Sequence, residues 1–313
     1  MSFNVTALSN YTKTNEQMLV TKSLFTAKSA SLFSKLTGVK SSIQVPILTQ
    51  DVIFQAGGSC GFNASGDSAI SSRNLTIGKI KINMEWCVKD LETKYTQLLL
   101  TNGSYYESLP GKIEGAIVEQ YAGQTAENIE KAIWQGDTAS SDNALKHFDG
   151  LIKIVGAASG VVNANSTAYI SAVATSFTAA NIISVMQAVN LAIPVQILDK
   201  ADLAVFVGVD VARLYQNALT NANLYNYTAN ADGQGEFYIV GTNIKVIPVN
   251  GLNGTSKIYA GRTSNIFVGV DMESDEDQFK MWYSEDFDVV RFKAEFKYGT
   301  QIAIPSEIVK FTV

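Results

Sequence analysis

Residues 109–136 read LPGKIEGAIVEQYAGQTAENIEKAIWQG. Ile113, Ile117 and Tyr121 stand four apart, and Ala122, Ala126, Ile129 and Ile133 carry the stripe on with a small shift. One apolar face repeating near every 3.6 residues predicts a helix over 109–135. Pro110 suits the first turn, where a missing N–H costs nothing. Gly136 suits the stop. Gly111, Gly115 and Gly123 each weaken the helix by ~1 kcal/mol relative to Ala, while leaving room for close packing.

Upstream of this helix the period changes. In 43–56, Ile43, Val45 and Ile47 alternate, and then Val52 and Phe54 do. That is strand spacing. The next stretch, GGSCGFNASGDSAISSR (57–73), cannot build a core and reads as a tip or loop. Leu75 and Ile77 then alternate in one phase, and Ile80, Ile82, Met84, Trp86 and Val88 in the other. A phase slip at Gly78 suggests a β-bulge. Residues 45–90 therefore read as one long hairpin. Before it, residues 1–44 read as an arm with a broken helical pattern through Met18, Leu19, Leu24, Phe25, Leu32, Phe33 and Leu36, stopped by Gly38.

Downstream, 177–193 reads as a helix ended by Pro194, and LAVFV (203–207) as a buried strand. Gly208 is a turn, and Asp210 is placed to cap a helix through Leu219. Two short strands fit 237–248. Val290, Phe292, Ala294, Phe296 and Tyr298 alternate with Arg291, Lys293, Glu295 and Lys297, which is a half-buried strand. Val309, Phe311 and Val313 form the last strand. Without a fixed repeat or regular βαβ alternation, the class is α+β.

Composition narrows the function. The 313 residues are 46% hydrophobic but only 17% charged, below the usual share of about 25%. A surface poor in charge suits a protein that covers much of itself with neighbours, because burying unpaired charge is costly. The formal net charge is −5 and no run of Lys or Arg forms a basic stripe. That argues against tight or sequence-reading nucleic-acid binding, though not against loose contact. The polar start MSFNVTALSNYTKTNEQ is not a secretory signal, and no apolar run reaches the ~18 residues of a membrane span. The Asn-x-Ser/Thr triplets at Asn4, Asn10, Asn63, Asn74, Asn102, Asn165, Asn226 and Asn253 then reflect composition. Cys60 and Cys87 have no metal or redox spacing. Both fit free thiols of a reducing compartment; a disulfide between them needs an oxidising one.

Each chemical motif fails its context. Gly57-Gly58-Ser59-Cys60-Gly61 matches G-x-S-x-G, with a strand before it and His147 after it. A serine hydrolase needs a helix directly behind that serine, and FNASGDSAIS (62–71) is not one. A serine hydrolase using Ser59 stays a distant alternative, and a glycine-serine loop is the reading kept. In 61–68, Asp67 stands where a phosphate loop requires lysine and would repel phosphate. His147, the only histidine, cannot make a multi-histidine metal site. The acidic run Asp271-Met272-Glu273-Ser274-Asp275-Glu276-Asp277 lacks the spacing of a calcium loop. No catalytic, cofactor-binding or metal residue is assigned, no cofactor is expected, and the protein reads as a non-enzyme.

The order arm, long hairpin, long helix, mixed α/β region and returning strands resembles the major capsid protein of tailed bacteriophages, the Hong Kong 97-type fold. The hairpin corresponds to that family's extended loop and the helix 109–135 to its spine helix. Ala132-Ile133-Trp134-Gln135-Gly136-Asp137 followed by Phe148-Asp149-Gly150-Leu151 is similar to the family's join after that helix. The strand-turn-helix at 203–219 fits its axial domain, and the strand 287–298 with Arg291 and the final Ile304-Pro305 resemble its closing strands. The resemblance implies an N-terminal arm (1–44), an extended hairpin loop (45–90), a peripheral domain with the spine helix (91–150), an axial domain (151–269) and peripheral return strands (270–313). It also implies a virion protein, assembled in the host cytoplasm without a membrane. Copies would form pentamers and hexamers of an icosahedral-type shell around double-stranded DNA, touched non-specifically. A separate scaffolding protein or a removed prosegment, a portal and decoration proteins are the further partners implied. Lys79 and Lys81 lie on the hairpin, but no motif supports the crosslinking some members perform. The nearest alternative is a bacterial encapsulin, an enzyme-filled compartment of the same fold, which a cargo-binding groove would distinguish.

Overall fold

The computed structural model describes residues 27–50, 52–54, 65–87, 109–224, 237–271, 279–284, 286–287 and 289–313. In chain order the elements are α1 (Lys28–Leu32), β1 (Ser34–Leu36), β2 (Ser42–Gln50), β3 (Ser68–Thr76), β4 (Gly78–Cys87) and α2 (Leu109–Gln135). Next come α3 (Leu151–Ala157), β5 (Val162–Asn163), α4 (Ile182–Ala192), β6 (Leu203–Gly208) and α5 (Val209–Asn221). The chain closes with β7 (Phe237–Tyr238), β8 (Lys245–Val249), β9 (Lys257–Arg262), β10 (Ile266–Val270), β11 (Phe279–Ser284), β12 (Val289–Ile302) and β13 (Val309–Thr312). The class is α+β, as the sequence pattern indicates.

Among the described residues the strands form three sheets. The first is built around β12, which takes β4 along 289–298, β11 along 289–294 and β10 along 298–302, with β1 parallel to β10. The second runs β5-β13-β9-β6-β8-β7. The third is the two-stranded ribbon β2–β3.

Two large cores result. One lies between the second sheet and helices α4 and α5, and takes in Val185, Val189, Val205, Tyr215 and Phe311. The other lies between that sheet's opposite face, α2, α3 and the first sheet, and takes in Ile133, Trp134, Leu151, Phe206 and Tyr298. All six residues of β6 are buried. Leu203, Val205 and Val207 feed the first core, while Ala204 and Phe206 feed the second. Strand alternation puts successive side chains on opposite faces, so an unbroken apolar run becomes the wall shared by two cores.

The structure departs from the sequence pattern at three places. The phase slip at Gly78 is not a bulge but a change of sheet: β3 pairs with β2, and β4 pairs with β12 over ten register pairs. Alternation reports which face is apolar, not which strand lies alongside. The last strand, β13, pairs with β9 and β5 in the second sheet rather than with β12. The 3-10 turn Pro305–Glu307 reverses the chain after β12, so that Val309 and Phe311 enter the first core. Helix α5 starts at Val209 with Gly208 at the N-cap position. Asp210 lies in its first turn and accepts the N–H of Val211 and that of Gly254 instead of capping.

Candidate assembly surface

The ribbon β2–β3 carries one anchored end. Val45, Leu75 and Ile77 form a small core there with Val39 and Ala303. The foot rests on glycines: a Cβ on Gly269 would lie 2.4 Å from Leu75 Cδ2, and one on Gly299 2.3 Å from the Thr76 carbonyl. At Gly78, where the chain changes sheet, a Cβ would lie 1.9 Å from the His147 carbonyl oxygen. Backbones meet there at a distance that excludes any side chain.

Beyond the foot, no described element covers the ribbon. Leu48 and Ile70 are opposite each other in the register, 61% and 79% exposed, and Phe54 is 97% exposed. Val52 and Ile53 are exposed as well. Single exposed apolar residues are ordinary. Leu48 and Ile70 side by side on the ribbon, with Val52, Ile53 and Phe54 following soon after β2, are a concentration of exposed apolar residues of the kind that marks an interaction site. An isolated two-stranded ribbon is marginally stable at best in water, so it gains from being covered. Pro46 lacks an N–H, which keeps part of β2's edge from adding another strand. A second exposed apolar set, Leu191, Val195 and Leu198, lies at and just after the end of α4.

Helix α2 spans 27 residues, about 40 Å at 1.5 Å per residue. Tyr121 stacks on Phe292 and meets Trp86 edge-on, and its hydroxyl contacts Met84 Sδ. Near its C-terminus Trp134 sits among Phe33, Phe206 and Tyr259. Gln135 Nε2 donates to the Gly251 carbonyl at 2.7 Å, and a Cβ on Gly251 would strike Trp134.

One buried polar group pins the N-terminal segment to this helix. Glu130 Oε2 accepts the Ser29 N–H at 2.9 Å and Oε1 the Ser29 hydroxyl at 2.6 Å, while Trp134 Nε1 donates to Ser29 Oγ at 2.8 Å. Burial pushes the Glu130 carboxyl above its ordinary range, and the bonds from Ser29 with the charge of Lys28 only partly offset this. Burial likewise raises the pKa of Tyr298, with the Glu130 charge adding to it, and its hydroxyl has no hydrogen-bond partner among the described residues.

The join after α2 is a second polar knot. Gly150 N–H donates to the Gly136 carbonyl at 2.8 Å. Lys153 Nζ lies 2.7 Å from Asp137 and 2.7 Å from Asp149. Asp149 also accepts the N–H and hydroxyl of Thr138. Burial pushes Asp149 upward, but these bonds outweigh it and hold the carboxyl below its ordinary range. The Lys153 and Ala139 bonds do the same for Asp137.

Only some of the residues singled out from sequence are among the described residues. Ser59 and Cys60 lie outside the described residues, as do 272–277 of the acidic run. Asp67 is exposed just before β3. His147 is half-buried, with its backbone carbonyl against Gly78. Asp271 is buried and 2.5 Å from Lys297 Nζ. Lys79 and Lys81 are exposed on β4, Lys81 lying 3.8 Å from Glu295. Cys87 is a half-buried free thiol. Among the described residues no three His, Cys, Asp or Glu side chains are placed to hold a metal, and no helix is long and apolar enough to cross a membrane. The Ser29–Glu130–Trp134 pin went unread in the sequence. Its one signal is a glutamate four residues before Trp134, on the face that the stripe makes apolar.

No protein-family model matches the chain, and no curated protein matches it. Solved structures do. A chain of the satellite phage P4 procapsid, a structure that includes the size determination (Sid) protein, aligns at TM-score 0.62 and 13% identity, covering 95% of this chain and 90% of that one. A chain of the cyanophage A-1(L) capsid asymmetric unit aligns at 0.56 and 12%, covering 90% of each. A chain of Gordonia phage Cozz aligns at 0.55 and 12%, covering 91% of this chain and 85% of that one. The fold of this chain is thus the fold found in phage capsids, kept at an identity where sequence comparison is silent.

Proposed function

We propose that this chain is the major capsid protein of a tailed bacteriophage, a structural subunit of a shell that encloses double-stranded DNA. The observation that carries the reading is the likeness to phage capsid chains over nine-tenths of both partners' lengths. The uncovered ribbon supports it independently, since an apolar two-stranded arm needs a neighbour to lie on.

Copies of the chain assemble as pentamers and hexamers. The ribbon, at the heart of segment 45–90, clasps adjacent subunits. Helix α2 braces the wall within segment 91–150. Segment 151–269 meets its copies around the local axis, where Leu191, Val195 and Leu198 offer apolar contact. Residues 1–44 act as the arm and 270–302 return to the wall, while β13 belongs with the axial sheet it pairs in. A separate scaffolding protein, a portal and decoration proteins complete the particle. Contact with DNA is non-specific, and assembly takes place in the host cytoplasm.

Expression of the full chain, followed by sedimentation and electron microscopy, tests this. Hexamers, pentamers or closed shells are expected. A monodisperse monomer under every salt and concentration condition would overturn the reading.

A further inference from the structure

The register of the first sheet gathers charges that the sequence scatters. β4 and β12 pair antiparallel, with Lys79 opposite Lys297, Lys81 opposite Glu295, Asn83 opposite Lys293 and Glu85 opposite Arg291. Opposed residues share a side of the sheet, and successive ones alternate between sides. The other side is taken: Phe292 stacks on Tyr121 of α2, and Phe296 and Tyr298 lie in the second core. The charged row therefore faces away from α2 and stays in contact with solvent. Lys79 and Lys81 are exposed, and Arg291, Lys293 and Lys297 are half-buried. We propose that this row binds the phosphate backbone of double-stranded DNA without reading its sequence.

Charge supplies the first argument. The row holds five basic side chains, and three acids meet them. Glu295 lies 3.0 Å from Lys293 and 3.8 Å from Lys81, Glu85 lies 3.6 Å from Arg291, and Asp271 lies 2.5 Å from Lys297. Glu295 is thus shared by two lysines, with Lys79 next along the strand from Lys81. This face is positive on a chain whose formal net charge is −5. A local field opposite in sign to the whole is what draws a polyanion to one place.

Shape supplies the second. From Arg291 to Lys297 the row spans ~20 Å at ~3.3 Å per residue. A duplex lying along it presents roughly 12 phosphate charges, one per ~1.7 Å. Lysine is depleted at the centre of protein interfaces, whereas it meets phosphate well as a point charge. A hydrated duplex therefore suits this face better than a neighbour's apolar surface does. Alternation kept the row out of sight in the sequence, because Ile80, Ile82, Phe292, Ala294 and Phe296 stand between its members. The identity of the polyanion rests on the capsid reading; the positive face does not.

The test is fluorescence anisotropy of a labelled random-sequence DNA duplex, titrated with the full chain below the concentration at which it assembles. Neutralising three phosphates, by Lys79, Lys81 and Lys293, predicts a log–log salt slope of about −2.7, or ~40-fold weaker binding at 200 mM than at 50 mM salt. Each single change, Lys79→Gln, Lys81→Gln or Lys293→Gln, should reduce the magnitude of the slope by about one. The triple variant should lose binding with its thermal melt unchanged. Lys200→Gln, at an exposed lysine outside the row, should leave binding as it is. A wild type that does not bind, or whose binding ignores salt, overturns the proposal, and so does a triple variant that binds as the wild type does. A triple variant that keeps its DNA affinity but loses assembly overturns it too, by assigning the face to a second copy. Assembly is read separately by sedimentation, so failure of the DNA contact leaves the capsid reading standing.

Discussion

Strand β6 and strand β2 carry similar residues to opposite ends. In β6, LAVFVG, every residue is buried and the two faces feed two cores. In β2, SIQVPILTQ, one residue of nine is buried, although Ile43, Ile47 and Leu48 are as apolar as anything in β6. Hydrophobicity alone does not bury a strand; neighbours on both faces do. β6 lies between β8 and β9 with helices beyond, whereas among the described residues β2 pairs only with β3. One strand is completed by its own chain. The other leaves most of its side chains exposed.

Four variants would break or sharpen this contrast. Phe206→Ala, in the shared wall, should cost ~3–5 kcal/mol, read as a drop in the urea midpoint of the isolated subunit. Leu75→Ala, at the buried foot of the ribbon, should cost ~2–5 kcal/mol. A cost under ~0.5 kcal/mol would mean that the ribbon is not rooted in the subunit at all. The triple change Leu48→Ser, Phe54→Ser, Ile70→Ser should leave subunit unfolding within about 0.5 kcal/mol per site while abolishing assembly by sedimentation. A large loss of subunit stability there would erase the difference between the two strands.

Glu130→Gln should have the smallest effect, visible in the pH profile. The folded Glu130 pKa is raised, so the folded state binds this proton more tightly than the unfolded chain does. Its contribution is fully present below the unfolded pKa and is lost as pH rises through the folded one. Melting curves from pH 4 to 8 should show the wild type losing stability relative to Glu130→Gln as pH rises. A constant difference would mean that the carboxylate is not desolvated. The acids at Asp137 and Asp149 act in the opposite sense. Their lowered values contribute stability above the unfolded pKa, lost as pH falls through the folded one.

Much of the fold was legible because periodicity is a local signal. The stripe Ile113–Ile133 gave α2 at the bounds observed, and the alternation 290–298 gave most of β12. LAVFV gave β6 as a buried strand. What stayed hidden was partnership. Gly78 looked like a bulge because a chain that leaves one sheet for another keeps alternating in a new phase. β13 looked like a return strand because Val309 and Phe311 alternate the same way beside any partner. The ribbon's outward surface was legible only as an extended, glycine-tipped stretch; that Leu48 and Ile70 face each other without cover is a matter of register and tertiary contact. The Glu130 pin needs residues 101 positions apart, and no spacing rule reaches that far.

The placement of β12 has a consequence in time. β12 is the strand to which β4, β10 and β11 all bond, and β1 reaches that sheet only through β10. Until β12 has been synthesised, β4 and β11 have no partner strand among those described and β10 has only β1. β13 then completes the second sheet from the other end of the same turn. Pairings so distant in sequence form late and slowly, and a chain emerging from the ribosome at ~5–20 residues per second spends most of that time without a finished wall. The ribbon's own foot rests on Gly299, so it exists only once the chain has been made almost to its end. Synthesis order thus leaves the ribbon without its root until the chain is nearly complete.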